Sequence, residues 1–325
     1  MGRESLLEVR NLKTYFYTED GVIPSVDGVS FTIKKGETVA VVGESGSGKS
    51  VTSLSIMGLL DAAGKIESGT IIFEGNDITK LSKKDRRKLR GNEMAMIFQE
   101  PLTSLNPLFT VGNQISEAIK IHQKVDKKEA KKRSIEILKK VGIARAEKVY
   151  HSYPHLLSGG MRQRVMIAIA LSCNPKLLIA DEPTTALDVT IQAQILQLMK
   201  ELIKDKQTSI LFITHDLGVV AEMADQVIVM YAGQVVEYTD VFTLFKEAAH
   251  PYTKSLLAST PKIHEQTEKL QVIEGTVPNP NAMPSGCRFH TRCPYVMEKC
   301  MNNEPVLTNI HTRHQVKCWL YEEEG

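Results

Sequence analysis

The chain carries the segment Gly43-Glu44-Ser45-Gly46-Ser47-Gly48-Lys49-Ser50 directly after the apolar run Val39–Val42 and before a helix-like stretch that reaches Leu60. Backbone N–H groups of a glycine-rich loop between a strand and a helix converge on phosphate oxygens, and the helix N-terminus adds partial positive charge. Lys49 is placed to reach the outer phosphates, and the Ser50 hydroxyl to bind Mg²⁺. The segment therefore predicts a phosphate loop that binds a nucleotide.

Two acidic residues, Asp181 and Glu182, end the apolar run Leu177–Ala180. This run lies between Pro175 and Pro183 and is too short for a helix, so it predicts a buried parallel strand. Beside a phosphate loop, such a carboxylate pair is typical of nucleotide hydrolysis: Asp181 would hold Mg²⁺, directly or through water, and Glu182 would orient and deprotonate the attacking water. The structural alternative is a surface turn after a core strand.

A third segment, Leu157–Gln163, precedes the apolar stretch Val165–Leu171. Ser158 predicts a helix N-cap, and Gly159 and Gly160 leave the helix start free of side chains, so that a phosphate can approach the backbone. A plain capped helix is the structural alternative. Because one phosphate loop does not need two such sites, the second is expected to serve a nucleotide held by another subunit.

These three motifs occur in the order found in ATPase subunits of ABC transporters, and residues 5–240 resemble that family. The resemblance implies that Gln99 contacts the metal and the attacking water, and that His215 lies near the γ-phosphate. Asp188 matches the aspartate of the family's D-loop, although an acid at this position equally well starts the helix expected over residues 189–204.

The same resemblance implies ATP and Mg²⁺ as ligands, with Phe16 stacked on adenine and Tyr15 or Tyr17 as alternatives. Two subunits would hold two ATP molecules head to tail, so that ATP closes the pair and hydrolysis reopens it. Met161 stands where the family's signature usually has Gln, which leaves the Ser158 and Gly160 contacts intact. The implied ATP-binding residues are Phe16, Gly43–Val51 and Asp188, with Ser158 and Gly160 binding the partner's ATP. The implied Mg²⁺ ligands are Ser50, Gln99 and Asp181, and the implied catalytic residues are Lys49, Gln99, Glu182 and His215.

The composition of the chain argues against several other classes of protein. The chain has 325 residues, 42% of them hydrophobic, and a formal net charge of +2, which is too small for binding nucleic acid or lipid by bulk electrostatics. It lacks an apolar run of roughly 18 residues and a signal-peptide pattern at its start, so we expect a protein that stays inside the cell. The basic run of residues 83–90 predicts a solvated helix face.

Periodicity predicts an α/β fold with a P-loop NTPase core, a mostly parallel sheet and an antiparallel β layer from residues 6–35 and 66–80. Residues 101–156 predict a helical subdomain in which Asp126 caps a helix and Glu129 occupies the capping-box position. The family resemblance implies that this subdomain engages membrane subunits. The predicted core strands lie near residues 38–43, 94–98, 176–181, 209–214 and 226–231.

The chain is expected to divide into an ATPase domain, residues 1–240, and a C-terminal extension, residues 241–325. His250-Pro251-Tyr252 resembles an extension motif of ATPases from dipeptide and oligopeptide importers, a group that includes nickel importers. This resemblance implies that the chain powers the import of peptides, or alternatively of nickel. It also implies that the chain lies at the cytoplasmic face of the membrane. The implied partners are two transmembrane permease subunits, a second homologous ATPase subunit rather than a second copy, and an extracytoplasmic solute-binding protein, without nucleic acid.

Four of the five cysteines lie in this small Cys-rich extension: Cys287, Cys293, Cys300 and Cys318. In a reducing compartment such clustering favours metal over disulfides, and the loose spacing favours an iron–sulfur cluster over zinc, which stays an alternative, as do free thiols. The family resemblance implies a [4Fe-4S] cluster. Cys173 is expected to lie on the apolar helix that follows Ser158, as a small core residue. Three histidines are expected to be solvated rather than substitute ligands: His290, His311 and His314.

Two functions of other classes fit the sequence less well. A nucleic-acid-associated ABC ATPase would carry long insertions or a second ATPase unit, but the interval between Gln99 and Ser158 is short. A non-hydrolytic binding module would have lost its catalytic residues, but the chain retains Lys49, Glu182 and His215.

Overall fold

The computed structural model describes residues 4–19, 21–99, 104–185, 187–204, 208–259 and 273–322. The chain forms two compact units. Unit 1 comprises residues 1–6, 34–37 and 80–212, and unit 2 comprises residues 7–33, 38–79 and 213–325. In the described part of the chain, no helix is both long and apolar enough to cross a membrane.

The described strands are β1 (Ser5–Thr18), β2 (Gly21–Lys34), β3 (Thr38–Val42), β4 (Gly64–Phe73), β5 (Asn76–Asp77), β6 (Met94–Ile97), β7 (Leu177–Asp181), β8 (Ser209–Ile213), β9 (Gln226–Tyr231), β10 (Gln234–Asp240), β11 (Thr308–His311) and β12 (His314–Val316). The described α-helices are α1 (Lys49–Met57), α2 (Lys83–Leu89), α3 (Val111–Gln123), α4 (Lys127–Lys140), α5 (Ala146–Tyr150), α6 (Gly159–Leu171), α7 (Val189–Lys204), α8 (Leu217–Met223), α9 (Val241–Glu247), α10 (Pro251–Ala258) and α11 (Glu298–Asn302).

Unit 2 contains the antiparallel layer that the sequence predicted. Its strands follow the order β2-β1-β4-β5, and β1 pairs antiparallel with β4, with Leu7 opposite Phe73. Leu7 and Val9 are buried whereas Arg10 is exposed, as expected for a sheet with one face on a core.

A second set of strands in unit 2 follows the order β11-β12-β10-β9-β3. β3 pairs with β9 in parallel, and the other pairs are antiparallel. The sequence predicted β3 and β9, but it did not predict that β11 and β12, from the C-terminal extension, continue this sheet.

The core of unit 2 joins these strands to the extension. Val42 and Val229 share a buried cluster with Leu244, Tyr252 and Phe289, which come from residues beyond 240. The aromatic rings of Tyr252 and Phe289 lie 5.4 Å apart between centroids. The extension therefore contributes to the same core as the strand that precedes the phosphate loop.

Unit 1 contains the strand with the predicted acidic end. β6 pairs with β7 in parallel, β8 lies next to β7, and every residue of β7 and β8 is buried. This explains why both strands are continuous apolar runs in the sequence. The mixture of parallel strands and helices confirms the predicted α/β fold class.

The predicted helical region, also in unit 1, contains α3, α4 and α5. Asp126 caps α4 by accepting a hydrogen bond of 2.7 Å from the Glu129 N–H, as predicted, whereas the Glu129 carboxylate pairs with Arg133. The buried hydroxyl of Ser116 lies 2.8 Å from that of Ser134 and 2.9 Å from that of Tyr150. These bonds satisfy polar groups between packed helices.

The structure tests three local predictions, which concern the end of α1, the position of Cys173 and the exposure of α2. α1 ends at Met57, not at Leu60, because Gly58 adopts the left-handed conformation that terminates helices. Cys173 is buried as expected but lies two residues beyond the end of α6 rather than on that helix. α2 buries none of its residues, which confirms the predicted solvated basic face.

Candidate nucleotide-binding site

The predicted site residues are divided between the two units. Unit 2 contains Phe16, residues 43–51 and His215. Unit 1 contains Gln99, Ser158, Gly160, Asp181, Glu182 and Asp188.

The phosphate loop requires glycine for steric reasons. A Cβ atom at Gly43, where φ is +151°, would lie 2.2 Å from the backbone oxygen of Met230. At Gly48, where φ is +97°, it would lie 2.5 Å from the backbone oxygen of Ser25. The loop therefore passes directly against backbone on both sides, which fixes its path where α1 begins.

Lys49 is held by the loop itself. Its ammonium donates hydrogen bonds of 2.8 Å and 2.9 Å to the backbone oxygens of Gly43 and Glu44, and its side chain is largely buried. A buried ammonium tethered to carbonyl oxygens keeps a positive charge inside the loop, as a site for polyanions requires.

The three neighbouring aromatic residues of β1 differ in their partners. The hydroxyl of Tyr15 donates to Asp27 over 3.4 Å, and that of Tyr17 donates to Glu67 over 2.6 Å. Phe16 is half-buried and packs against the start of β4, because a Cβ atom at Gly64 would lie 2.9 Å from its ring. Of these three aromatic residues, Tyr15 and Tyr17 are each bound to an acid through their hydroxyl, whereas Phe16 has no hydroxyl.

His215 follows β8 and is exposed. The next residue, Asp216, caps α8 by accepting hydrogen bonds from Gly218 and Val219 over 2.8 Å and 3.3 Å. The imidazole therefore stands at a fixed strand-to-helix junction.

In unit 1, the acids lie where β7 ends. Asp181 is only 5% exposed, and Glu182 has φ of +47°, a conformation that is unfavourable for a residue with a Cβ atom. The Glu182 carboxylate accepts hydrogen bonds of 2.9 Å from both the Gln99 amide and the Thr185 hydroxyl. Strained backbone held by specific side-chain bonds is typical of functional sites.

The Ser158 segment forms the N-terminus of α6. Ser158 caps the helix by accepting a hydrogen bond of 3.4 Å from the Met161 N–H, and both Ser158 and Gly159 are exposed. A Cβ atom at Gly160 would lie 3.0 Å from Ile191 of α7, whose own start Asp188 caps through a 2.9 Å bond from the Ile191 N–H. The predicted N-cap is confirmed, and Asp188 does start α7.

Sequence reasoning assigned no role to Gln163, although this residue closes the same segment. Gln163 is 2% exposed, and its amide donates a hydrogen bond to the backbone oxygen of Pro183, the residue after Glu182. Because Gln163 lies between Arg162 and Arg164, no local pattern marked it as buried; the buried amide nevertheless needs a partner, and the Pro183 oxygen supplies one.

The four clustered cysteines, all of them free thiols, line a single pocket in unit 2 together with His250, Phe289 and Trp319. Burial raises the pKa of the Cys318 thiol to about 11, and it also raises the pKa values of Cys287 and Cys293. Among the described residues, no three His, Cys, Asp or Glu side chains are grouped so as to hold a metal ion. The cluster itself stays a prediction.

The expectation of solvated histidines holds for His311, which is exposed, but not for the other two. His290 is half-buried and lines the cysteine pocket. His314 is 2% exposed, and its Nε2 lies 2.8 Å from the buried carboxylate of Glu237. The reason is that β12 pairs with β10, which places His314 inside the sheet's core rather than in a loop.

Comparison with protein families gives two main matches. The ABC transporter family matches residues 26–185, and the C-terminal region of oligopeptide/dipeptide transporters matches residues 236–300. Among solved structures, a dimeric ATP-binding cassette in a post-hydrolysis state bound to ADP and Pi has a TM-score of 0.66 and 28% identity, over 73% of this chain and 99% of that chain.

The curated relatives are similar over nearly their whole length. The chain is 61% identical to the oligopeptide transport ATP-binding protein AppD of Bacillus subtilis, over 99% of this chain and 98% of that protein. It is 50% identical to the dipeptide transport ATP-binding protein DppD of Escherichia coli, over 97% of this chain and 96% of that protein. With both family regions matched in order along one polypeptide, this chain belongs to the ATP-binding subunits of oligopeptide and dipeptide ABC transporters.

Proposed function

We propose that this chain hydrolyses ATP to power the import of dipeptides or oligopeptides across the cytoplasmic membrane. The observation that carries the proposal is Glu182, a carboxylate in a strained conformation at the end of a buried strand and held by Gln99 and Thr185. The names of the relatives, one for oligopeptide and one for dipeptide transport, support peptides as the cargo.

In this proposal, residues 43–51 bind the triphosphate, with Lys49 neutralising its charge, and Phe16 stacks on adenine. Glu182 accepts the proton of the attacking water, while Gln99 and His215 orient the water and the γ-phosphate. Mg²⁺ would be held by Ser50, Gln99 and Asp181, and it would neutralise charge on the phosphates. The tethered Lys49 ammonium and the buried Asp181 support these assignments.

The second part of the proposal is a head-to-tail pair of ATPase subunits. Ser158 and Gly160 would bind the ATP of the partner subunit, with Asp188 beside it. Support comes from the exposed, capped N-terminus of α6, a helix of 13 residues whose dipole favours an anion. The partner would be a homologous second ATPase, and ATP contacts to both faces would drive closure.

A third part concerns the assembly. We infer two transmembrane permease subunits, an extracytoplasmic solute-binding protein, and a peripheral position on the cytoplasmic face of the membrane. The helical region of α3, α4 and α5 is the proposed contact for the permeases. We further propose residues 1–240 as the ATPase domain and residues 241–325 as its peptide-importer extension.

The substitution Glu182→Gln tests the catalytic assignment. It keeps the size of the side chain and removes its basicity, so ATP hydrolysis should slow by roughly 10² or more while ATP binding is retained. Glu4→Gln, at an exposed glutamate paired with Lys35, is the matched control and should hydrolyse ATP normally. Full turnover in the Glu182 variant would remove this residue from the role of general base.

For the four-cysteine pocket we propose a [4Fe-4S] cluster. A cubane takes one thiolate at each of four separate iron atoms, whereas zinc needs its ligands around one point. Four thiols that line one pocket would supply the four thiolates that such a cluster requires, and this supports the proposal. When bound, the cluster would cross-link the short extension.

Iron and acid-labile sulfide in anaerobically purified protein test this assignment. Cys293→Ser should lower both contents, whereas Cys173→Ser, at a buried cysteine of unit 1, should leave them unchanged. Wild-type protein that contains neither iron nor sulfide would contradict the cluster.

A further inference from the structure

The C-terminal extension contacts the phosphate loop through Arg292. The Arg292 guanidinium donates hydrogen bonds of 2.7 Å and 3.2 Å to the two carboxylate oxygens of Glu44, the second residue of the loop. The Arg292 side chain is 4% exposed. Its remaining donors are used as well: Nε donates to the backbone oxygen of Glu274 over 2.9 Å, and Nη2 to that of Ile273 over 3.2 Å. Such a bidentate, buried pair fixes both position and orientation.

A second contact reaches the backbone of the same loop residue. The Glu44 N–H donates a hydrogen bond of 2.9 Å to the hydroxyl of Tyr252, the tyrosine of the His-Pro-Tyr motif. Tyr252 is fully buried, and its ring lies 4.7 Å from that of Tyr231 and 5.4 Å from that of Phe289. Arg292 stacks on the Tyr231 ring at 5.8 Å. A packed aromatic cluster therefore supports both contacts to Glu44.

The charge of Glu44 makes these contacts relevant to nucleotide binding. A carboxylate in a loop that binds a triphosphate repels its ligand unless a cation compensates it. Arg292 supplies that cation, because its guanidinium donates hydrogen bonds to both carboxylate oxygens of Glu44. The pair thus removes a repulsive charge and holds the carboxylate to one side of the loop.

We propose that Arg292 and Tyr252 of the C-terminal extension are positioning residues that hold the phosphate loop, through Glu44, in the shape and charge state that bind ATP. This inference rests on the proposed binding of ATP by residues 43–51. It gives the His-Pro-Tyr motif a role in the ATPase reaction, in addition to its packing in the core.

The test measures Mg-ATP affinity, KM and kcat in the full-length chain. Arg292→Met leaves the negative charge of Glu44 uncompensated. At a protein surface, a unit charge on the order of 10 Å from a phosphate repels it enough to raise the Kd for Mg-ATP roughly tenfold. At saturating ATP, kcat should stay within about twofold of wild type, since the general base is untouched. Arg292→Lys, which keeps the charge but loses the fork, should fall between the two.

The double substitution Arg292→Met with Glu44→Gln separates the electrostatic role from a purely structural one. Removing the repelling carboxylate should restore most of the lost affinity. A purely structural Arg292 would instead lower thermal stability without this rescue. Arg10→Met breaks an exposed arginine–glutamate pair on β1 and is the matched control for loss of an arginine.

Tyr252→Phe provides an independent variant that removes one hydroxyl and keeps the aromatic packing. Loss of one hydrogen bond to the loop should raise the Kd about fivefold. Unchanged affinity in both Arg292→Met and Tyr252→Phe would overturn the proposal. Wild-type protein that fails to bind ATP would refute the proposed function instead, so the two failures are distinguishable.

Discussion

His250 is expected to make the stability of unit 2 sensitive to acid. The imidazole is 1% exposed, and its Nδ1 accepts a hydrogen bond of 3.0 Å from the Tyr252 N–H, which caps α10 and requires the neutral ring. Burial lowers its pKa from 6.5 to about 3. The unfolded chain therefore takes up a proton below pH 6.5 that the folded chain refuses until about pH 3.

The sign and size of the effect follow from this difference. The unfolded state binds more protons between those two pKa values, so the free energy of unfolding falls as pH falls, by about 1.4 kcal/mol per pH unit. Between pH 7 and pH 5, His250 should cost the fold about 2 kcal/mol. The loss reverses on returning to neutral pH.

The substitution His250→Asn isolates this contribution. Asparagine retains a side-chain acceptor for the helix cap but does not titrate. It also loses contact with the Phe289 ring, whose centroid lies 5.8 Å from the imidazole, but that loss does not depend on pH. The contribution of His250 is therefore obtained from the slope of the free energy of unfolding against pH, not from its absolute value.

Urea unfolding at pH 7, 6 and 5 measures these slopes. Trp319 is the single tryptophan of the chain and lines the same pocket as His250, so its fluorescence reports unfolding of this region. The His250→Asn variant should lose about 2 kcal/mol less than wild type between pH 7 and pH 5, whereas His155→Asn, at an exposed histidine, should follow wild type. Equal slopes in wild type and the His250 variant would refute the reasoning.

Two further substitutions, one in each unit, test how the unit is packed. Glu237→Ala removes a buried carboxylate that accepts hydrogen bonds from two backbone N–H groups and contacts His314, so the free energy of unfolding, measured by the same fluorescence, should fall by about 3–5 kcal/mol. Gly112→Ala places a methyl group 2.4 Å from the Tyr150 ring and should lower thermal stability by about 1–3 kcal/mol, whereas Gly159→Ala, with no atom within 4 Å, should not.

The parts of the site that the sequence predicted are those built from neighbouring residues. The phosphate loop, the Ser158 cap and the acidic end of β7 each form within one strand–loop or loop–helix segment, so local patterns contain most of the information. The left-handed backbone of Glu182 was not predictable in this way, because the bonds that hold it come partly from Gln99, 83 residues earlier.

The C-terminal extension was the hardest part to predict from the sequence. β11 and β12 are short and partly polar, and they become strands because β10 offers an edge more than 70 residues away. The same pairing buries His314, which the local pattern indicated as a solvated loop residue. Arg292 likewise has no local signal, since its partner Glu44 lies 248 residues earlier.

In unit 1, the proposed site for the partner's ATP and the proposed general base are linked through helix α6. The N-terminus of α6, which would bind the partner's ATP, and Glu182, the proposed general base, are joined by the bond from Gln163 of the same helix to the backbone of Pro183. Because a helix is stiff over so few turns, displacement of its N-terminus moves Gln163 with it. The hydrogen bond would transmit that displacement to Pro183, the residue after Glu182. Binding of a second subunit at this N-terminus would therefore be coupled to the position of the proposed catalytic carboxylate.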